Sequence, residues 1–198
     1  MSPPPVRIVA LGDSTTAGTP AFRSPLEAPP RGRGDETSQY AYWLRRAHPE
    51  WTVFNRGING ERSDHIHARF ERDVVSESPS AVVIIAGVND VYQGLAAAHV
   101  MSELAAMYAR AAETGVRVVA GSIIPYNTAT PAQNATMHEV NDWIRRQPAI
   151  AFADTRAAVA AAGSPDVLFE SPDGLHPTAA GYRRMADAIA PALEKVLR

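Results

Sequence analysis

The chain's 198 residues are 45% hydrophobic and 20% charged, a globular composition that excludes a disordered or fibrous protein and suits one domain over residues 1–198. With 19 basic against 21 acidic residues and a formal net charge of −2, it has no overall field to hold nucleic acid or an anionic membrane. Cysteine is absent, which removes disulfide frameworks, thiolate metal sites, redox dithiols and cysteine nucleophiles together.

In chain order, Val6–Leu11 reads as a first strand, broken at Gly12-Asp13. No segment approaches the roughly 18 apolar residues that cross a bilayer, and Ile8 to Leu11 is too short for a signal sequence. As given, the chain reads as soluble and cytoplasmic; secretion would require a leader already removed. Thr19–Thr37 follows, holding Pro20, Pro25, Pro29, Pro30, Gly32 and Gly34 around Arg31 and Arg33. It is long for a connection inside a compact domain, so it is either functional or mobile. A helix over Tyr40–Ala47 leads to a strand at Trp51–Phe54, and a second helix is expected over Arg62–Val75. Ala81–Ala86 has no polar alternation, the pattern of a central parallel strand buried on both faces. Helix Leu95–Glu113, strand Gly115–Ala120, helix Ala132–Arg146 and a weaker strand at Ala149–Ala153 continue the alternation. A last helix is expected over Pro177–Leu197, with Pro177 in its first turn and Pro191 kinking or splitting it. Alternation of this kind predicts a doubly wound three-layer α/β/α sandwich on a parallel sheet of about five strands.

The turns after the strands hold the chemistry. They are Gly12-Asp13-Ser14 after the first, Asn55-Arg56-Gly57-Ile58-Asn59-Gly60 after the second and Gly87-Val88-Asn89-Asp90 after the third. Asp173-Gly174-Leu175-His176-Pro177 precedes the last helix. A doubly wound sheet brings such turns to its C-terminal edge, where open α/β sheets bind ligands. The groups so gathered are a hydroxyl, backbone N–H donors, a carboxamide, a carboxylate and an imidazole, the parts of acyl transfer by a serine. Each alone has a plainer reading. Ser14 could be an N-cap, Gly57 and Gly60 turn glycines, Asn89-Asp90 an Asx turn, and Asp173-Gly174 a turn dipeptide beside a capping His176.

Taken together, the four segments resemble the blocks of the SGNH hydrolases, also called the GDSL esterase/lipase superfamily, in that family's order from Val6 to about Ala190. Asn141-Asp142-Trp143-Ile144-Arg145 and the run Asp173 to Tyr182 are similar to signatures of its small bacterial branch. The resemblance implies a flavodoxin-like SGNH hydrolase fold with Ser14 as nucleophile, His176 as base and then acid, and Asp173 orienting it. It further implies an oxyanion hole from the N–H groups of Ser14 and Gly57 and the side chain of Asn89, and no cofactor or metal. The long Pro/Arg segment departs from the family's general pattern.

The remaining features carry plainer expectations. Asp13 and Asp90 should tie loops by hydrogen bonds. Asp64-His65-Ile66-His67 falls in an expected helix, where residues two apart diverge and do not share an ion. His48, His99 and His138 read as surface residues, and Trp43, Trp51 and Trp143 as packing. The pairs Arg45-Arg46, Arg145-Arg146 and Arg183-Arg184 read as solvated helix faces.

The expected activity is a cofactor-independent serine esterase acting through an acyl-Ser14 intermediate on short-chain or acetyl esters of small molecules. Its alternatives are a lysophospholipase- or thioesterase-like acyl hydrolase, an acyltransferase, or a non-catalytic ligand-binding protein on the same fold.

Overall fold

The structure is a computed structural model and describes residues 6–198. From the N-terminus, β1 (Val6–Gly12) runs into α1 (Ser14–Ala17), and β2 (Phe22–Arg23) and β3 (Arg33–Gly34) precede α2 (Tyr40–Ala47). Next come β4 (Trp51–Gly57), α3 (Ser63–Ala68), α4 (Phe70–Asp73), β5 (Ala81–Ile85), α5 (Val88–Tyr92) and α6 (Ala97–Glu113). Then follow β6 (Arg117–Gly121), α7 (Pro131–Arg145), β7 (Ala151–Ala153), α8 (Thr155–Val159), β8 (Ala160–Ala161), β9 (Ser164–Leu168) and α9 (Ala179–Leu197).

Five strands form one parallel sheet in the order β4-β1-β5-β6-β7. The apolar run at β5 is the central strand, and all five of its residues are buried. Alternation along β1 builds the layers. Ile8 and Ala10 face Tyr40 and Leu44 of α2 and Tyr182, Met185, Ile189 and Leu193 of α9. Val9 and Leu11 face the opposite way, toward Ile66, Phe70, Leu104, Met107, Met137, Val140 and Ile144 on α3, α4, α6 and α7. Helices thus cover both faces, as a fully parallel sheet requires.

The register positions the site. Gly12 pairs with Gly57 on one side and with Ile85 on the other. Three strands therefore end level, and the turns after them open together at the C-terminal edge.

Local differences from the sequence expectation have physical reasons. The helix expected over Arg62–Val75 breaks at Arg69, whose φ of −104° and ψ of 7° separate α3 from α4. That break turns the Arg69 guanidinium toward the ends of β1 and β4. Pro177 stays outside the last helix, because Thr178 is the N-cap and its hydroxyl accepts from Gly181 N–H. Pro191 does not split α9, which runs unbroken to Leu197 with that proline exposed. Pro131 takes the first position of α7, behind a reciprocal Thr130–Gln133 capping box. Asn89 is helical, within α5, so the Asx-turn reading gives way. The Thr19–Thr37 segment folds on itself as the antiparallel β2–β3 ribbon. Trp51 is buried, Trp143 stacks on Tyr108, and Trp43 donates to Thr37 O at 2.8 Å. No helix among the described residues is long and apolar enough to cross a membrane.

Candidate active site

Asp13 ends the run of β1 and caps α1, its Oδ1 accepting from Thr15 N–H at 2.9 Å. The cap fixes Ser14 at the first helical position, where backbone N–H groups lack intrahelical acceptors. Ser14 is 7% exposed, and its N–H has no acceptor among the described residues.

The chain returns to this point 162 positions later. His176 Nε2 lies 2.9 Å from Ser14 Oγ, and its Nδ1 lies 2.7 Å from Asp173 Oδ2. The other carboxylate oxygen of Asp173 accepts from His176 N–H at 2.8 Å and Leu175 N–H at 2.9 Å. One turn thus sets carboxylate against imidazole and locks both. The turn itself is tied down: Asn127 N–H donates to Gly174 O at 2.7 Å, and Ser171 Oγ donates to His176 O at 2.7 Å. Burial opposes the charge on Asp173, but the hydrogen bonds from the His176 ring and from the His176 and Leu175 N–H groups outweigh it. The carboxyl is held down at about 2. An ionised Asp173 beside Nδ1 favours the tautomer with its proton there, leaving Nε2 free to accept from the serine hydroxyl.

The expected oxyanion donors separate. Asn89 Nδ2 donates to Glu61 O at 2.9 Å, which holds the carboxamide against the loop after β4. A carboxamide has two N–H donors, so one remains. Gly57, expected as an oxyanion donor, has its N–H engaged within its own turn, where it donates to Asn55 Oδ1 at 2.9 Å. Its requirement for glycine is steric: a Cβ there would lie 2.1 Å from Ala17 N and 2.6 Å from Ala17 Cα. Gly57 is therefore the point where β4 and α1 touch. Gly60, three residues on, has a positive φ of 74° with open space around it, and its N–H has no acceptor among the described residues.

Asn55, at the head of the second turn, and two residues outside the four segments, Arg69 and Ser63, brace the strand ends. Asn55 Nδ2 donates to Ala17 O at 3.1 Å and Gln39 Oε1 at 2.8 Å, fixing the end of α1 to β4. Arg69 donates to Gly12 O, Arg56 O, Asp73 and Glu61, all from a buried position. Ser63 donates to both oxygens of Asp90, at 2.9 Å from its N–H and 2.6 Å from its hydroxyl. Asp90 thus ties the second turn to the third, as expected of it. Asp13 is different. Only Oδ1 is paired, Oδ2 has no partner, and burial pushes its carboxyl up to about 7.

His67 pairs with Glu103 across α3 and α6 at 2.6 Å while His65 sits by Arg62, so the two rings do not converge. Asp64, Asp90 and His99 bring ligand atoms within 4.8 Å of one another. Both Asp64 oxygens already bind the Arg62 guanidinium, and Ser63 holds Asp90, so these carboxylates are compensated without a cation. His48 and His99 are half-buried rather than surface side chains, His48 stacking on Trp51 at 3.7 Å.

A parallel sheet in this strand order, with a serine, an imidazole and a carboxylate in a hydrogen-bonded line at its C-terminal edge, defines the class: a serine hydrolase on a doubly wound α/β scaffold. The GDSL-like lipase/acylhydrolase family matches residues 10–184, and the chain belongs to that family and acts on ester bonds. It is similar to the esterase TesA of Pseudomonas aeruginosa, 28% identical over 153 residues that cover 75% of this chain and 72% of that protein. Among solved structures, a G-D-S-L family protein from Desulfitobacterium hafniense superposes with a TM-score of 0.78 at 23% identity, covering 94% of this chain and 99% of the other. An acetylxylan esterase from Geobacillus stearothermophilus superposes with a TM-score of 0.70 at 20% identity, covering 97% and 94%.

Proposed function

We propose that the chain hydrolyses short-chain, principally acetyl, esters of small soluble alcohols through an acyl-Ser14 intermediate. The observation that carries the chemistry is the Asp173–His176–Ser14 line, with contacts of 2.7 and 2.9 Å. His176 Nε2 takes the serine proton as Oγ attacks the ester carbonyl, then delivers it to the leaving alkoxide. In the second half, His176 takes a proton from water as the water oxygen attacks the acyl carbon, and Ser14 leaves with that proton. Asp173 stabilises the imidazolium in both halves.

The oxyanion forms where unspent donors meet. Ser14 N–H and the second N–H of Asn89 Nδ2 serve there. Gly60 N–H takes the place expected of Gly57, because the next residue, Glu61, holds the Asn89 carboxamide through its carbonyl.

The preference for small esters rests on surface chemistry. Enzymes working on lipid aggregates present apolar surface to them. Among the described residues only Tyr92 and Val167 are exposed large hydrophobic side chains. The segment following α1 offers prolines, glycines and arginines instead. The acetylxylan esterase among the structural relatives points the same way.

The test pairs fluorophosphonate labelling with p-nitrophenyl esters from C2 to C12. Labelling at Ser14, its loss in Ser14→Ala and His176→Ala, and a rate maximum at C2 to C4 are expected, with circular dichroism unchanged in both variants. A maximum at C8 or beyond overturns the substrate reading. Full activity in either variant overturns the site.

A further inference from the structure

Within the Thr19–Thr37 segment, β2 and β3 pair so that Arg23 stands directly opposite Arg33 and Phe22 opposite Gly34. Directly opposed residues on an antiparallel pair project from the same face, about 5 Å apart at Cβ, and like charges so placed repel. Neither guanidinium has a carboxylate partner among the described residues. The segment's own acids are occupied elsewhere. Glu27 accepts from Ser24 N–H and Asn59 N–H. Asp35 accepts from the N–H and hydroxyl of Thr37, and Glu36 lines a separate hollow with Arg45. The two arginines, with Pro20, Ala21 and Phe22, wall a hollow of about 400 Å³. Phe22 is 3% exposed, so the ribbon is pinned to the body.

The ribbon is also tied to the catalytic serine and to the loop beside it. Gly18 and Thr19 N–H both donate to Ser14 O, at 3.0 and 3.2 Å, and Phe22 N–H donates to Gly18 O. Ser24 Oγ donates to Gly57 O at 2.6 Å, and Thr19 Oγ1 donates to Asn59 Oδ1. Pro20, which lines the hollow, is the next residue after Thr19, so its Cα lies at most about 9 Å from Ser14 O.

We propose that the opposed Arg23 and Arg33 bind the carboxylate or phosphate of an anionic ester, making such esters the preferred substrates of the Ser14 site. Two guanidinium forks on one face offer parallel N–H pairs to a planar or tetrahedral oxyanion, and a bound anion relieves their mutual repulsion. The proposal rests on the esterase reading above and narrows its substrate class.

The experiment follows acetate release from 6-acetoxyhexanoate and from neutral 6-acetoxyhexanamide, which differ only in the terminal group. The wild-type chain should favour the carboxylate ester at least tenfold in kcat/KM, through KM, and added salt should erode the advantage. Arg23→Gln/Arg33→Gln should bring the ratio to twofold or less, and Arg23→Lys should retain part of it. Equal use of both esters by the wild type, or a preference that survives the double variant, overturns the proposal. Inorganic phosphate distinguishes the other source of such an anion: a thermal shift lost in the double variant, with no preference between the esters, would mark an effector site and refute the substrate assignment. Circular dichroism of the double variant reports its folding. Absence of p-nitrophenyl acetate turnover by the wild type would count against the esterase reading instead, so the two failures are separable.

Discussion

Replacing Asp13 with Asn should make the chain more stable at pH 8 and not at pH 4. In the fold Asp13 is fully buried, and desolvation raises its pKa. The Thr15 hydrogen bonds work against that rise, the charge of Asp90 adds to it, and Arg69 lowers it, leaving a net shift from 3.8 to about 7. Between roughly pH 4 and pH 7 the folded chain therefore holds a proton that the unfolded chain has lost. Folding stability from this group is highest below the unfolded value, falls as pH rises, and carries its full penalty above pH 7. A shift of about three units at about 1.4 kcal/mol each is about 4 kcal/mol. Asn keeps the oxygen that caps α1 and removes the ionisation. Its Nδ2 sits where Oδ2 already lacked a partner, a cost of about 1–3 kcal/mol that does not change with pH. The signature is thus a difference between variant and wild type that grows by about 4 kcal/mol from pH 4 to pH 8, on the order of 10 °C in Tm for a chain of this size. Asp64 and Asp173, both held at about 2, contribute stability above about pH 4 that is lost as pH falls toward 2. They are common to both proteins and cancel. Urea unfolding of the pair across this range is the assay. A difference that stays flat with pH would refute the reasoning, since it would mean that Asp13 ionises normally inside the fold.

Asn89→Ala should lower kcat by roughly 10²–10³ with KM little changed, as expected for a donor used in the transition state; a change confined to KM would make Asn89 a substrate-binding residue. Gly57→Ala and Gly60→Ala should part company in thermal melts. The first drives a Cβ to 2.1 Å from Ala17 N, a backbone atom that cannot yield, and should cost about 3 kcal/mol or more while displacing Ser14. The second meets nothing within 4 Å and should cost about 1–2 kcal/mol of left-handed strain. Arg69→Met should destabilise the chain by about 3–5 kcal/mol, because Asp73 and Glu61 lose a buried partner along with the Gly12 and Arg56 carbonyls; a loss below 1 kcal/mol in urea unfolding would show that the brace is dispensable.

The sheet was legible because its strands are apolar and short and the helices between them periodic. The β5 run is the clearest case: an alternating strand would have exposed one face, and this one has none. The four turns were legible as a candidate site because each places a polar group directly after a strand or before a helix. The choice between Gly57 and Gly60 was not, and the reason is local. Two glycines three residues apart in one turn look alike in sequence, and only the Asn55 side chain decides which N–H is spent. Arg69 was hidden by helical periodicity, since nothing in the spacing marks a residue that leaves the helix to reach back to a strand end. The Arg23–Arg33 opposition depends on the ribbon register, which a Pro/Gly-rich stretch does not disclose.

A serine, a histidine and an aspartate must be held to fractions of an ångström to work as a unit. The level ends of β1, β4 and β5 do not supply that precision alone, because the turns beyond them leave the hydrogen-bonded ladder. It comes from side chains that cross between turns. Asn55 fixes α1 to β4, Arg69 fixes β1 to β4, Asp90 fixes the second turn to the third, and Asn127 fixes the histidine turn to the loop after β6. The braces at Asn55 and Asp90 also satisfy buried backbone groups, the Ala17 carbonyl and the Ser63 N–H, so removing either costs stability as well as alignment. Asp13 is the exception: it braces α1 with one oxygen and leaves the other unpaired next to Ser14, the proposed nucleophile. A carboxyl in that position adds negative charge beside a forming oxyanion whenever it ionises. Asp13→Asn should therefore gain relative activity above pH 7 as well as stability, measured as the ratio of variant to wild-type kcat between pH 6 and pH 9. A ratio independent of pH would confine Asp13 to a structural role.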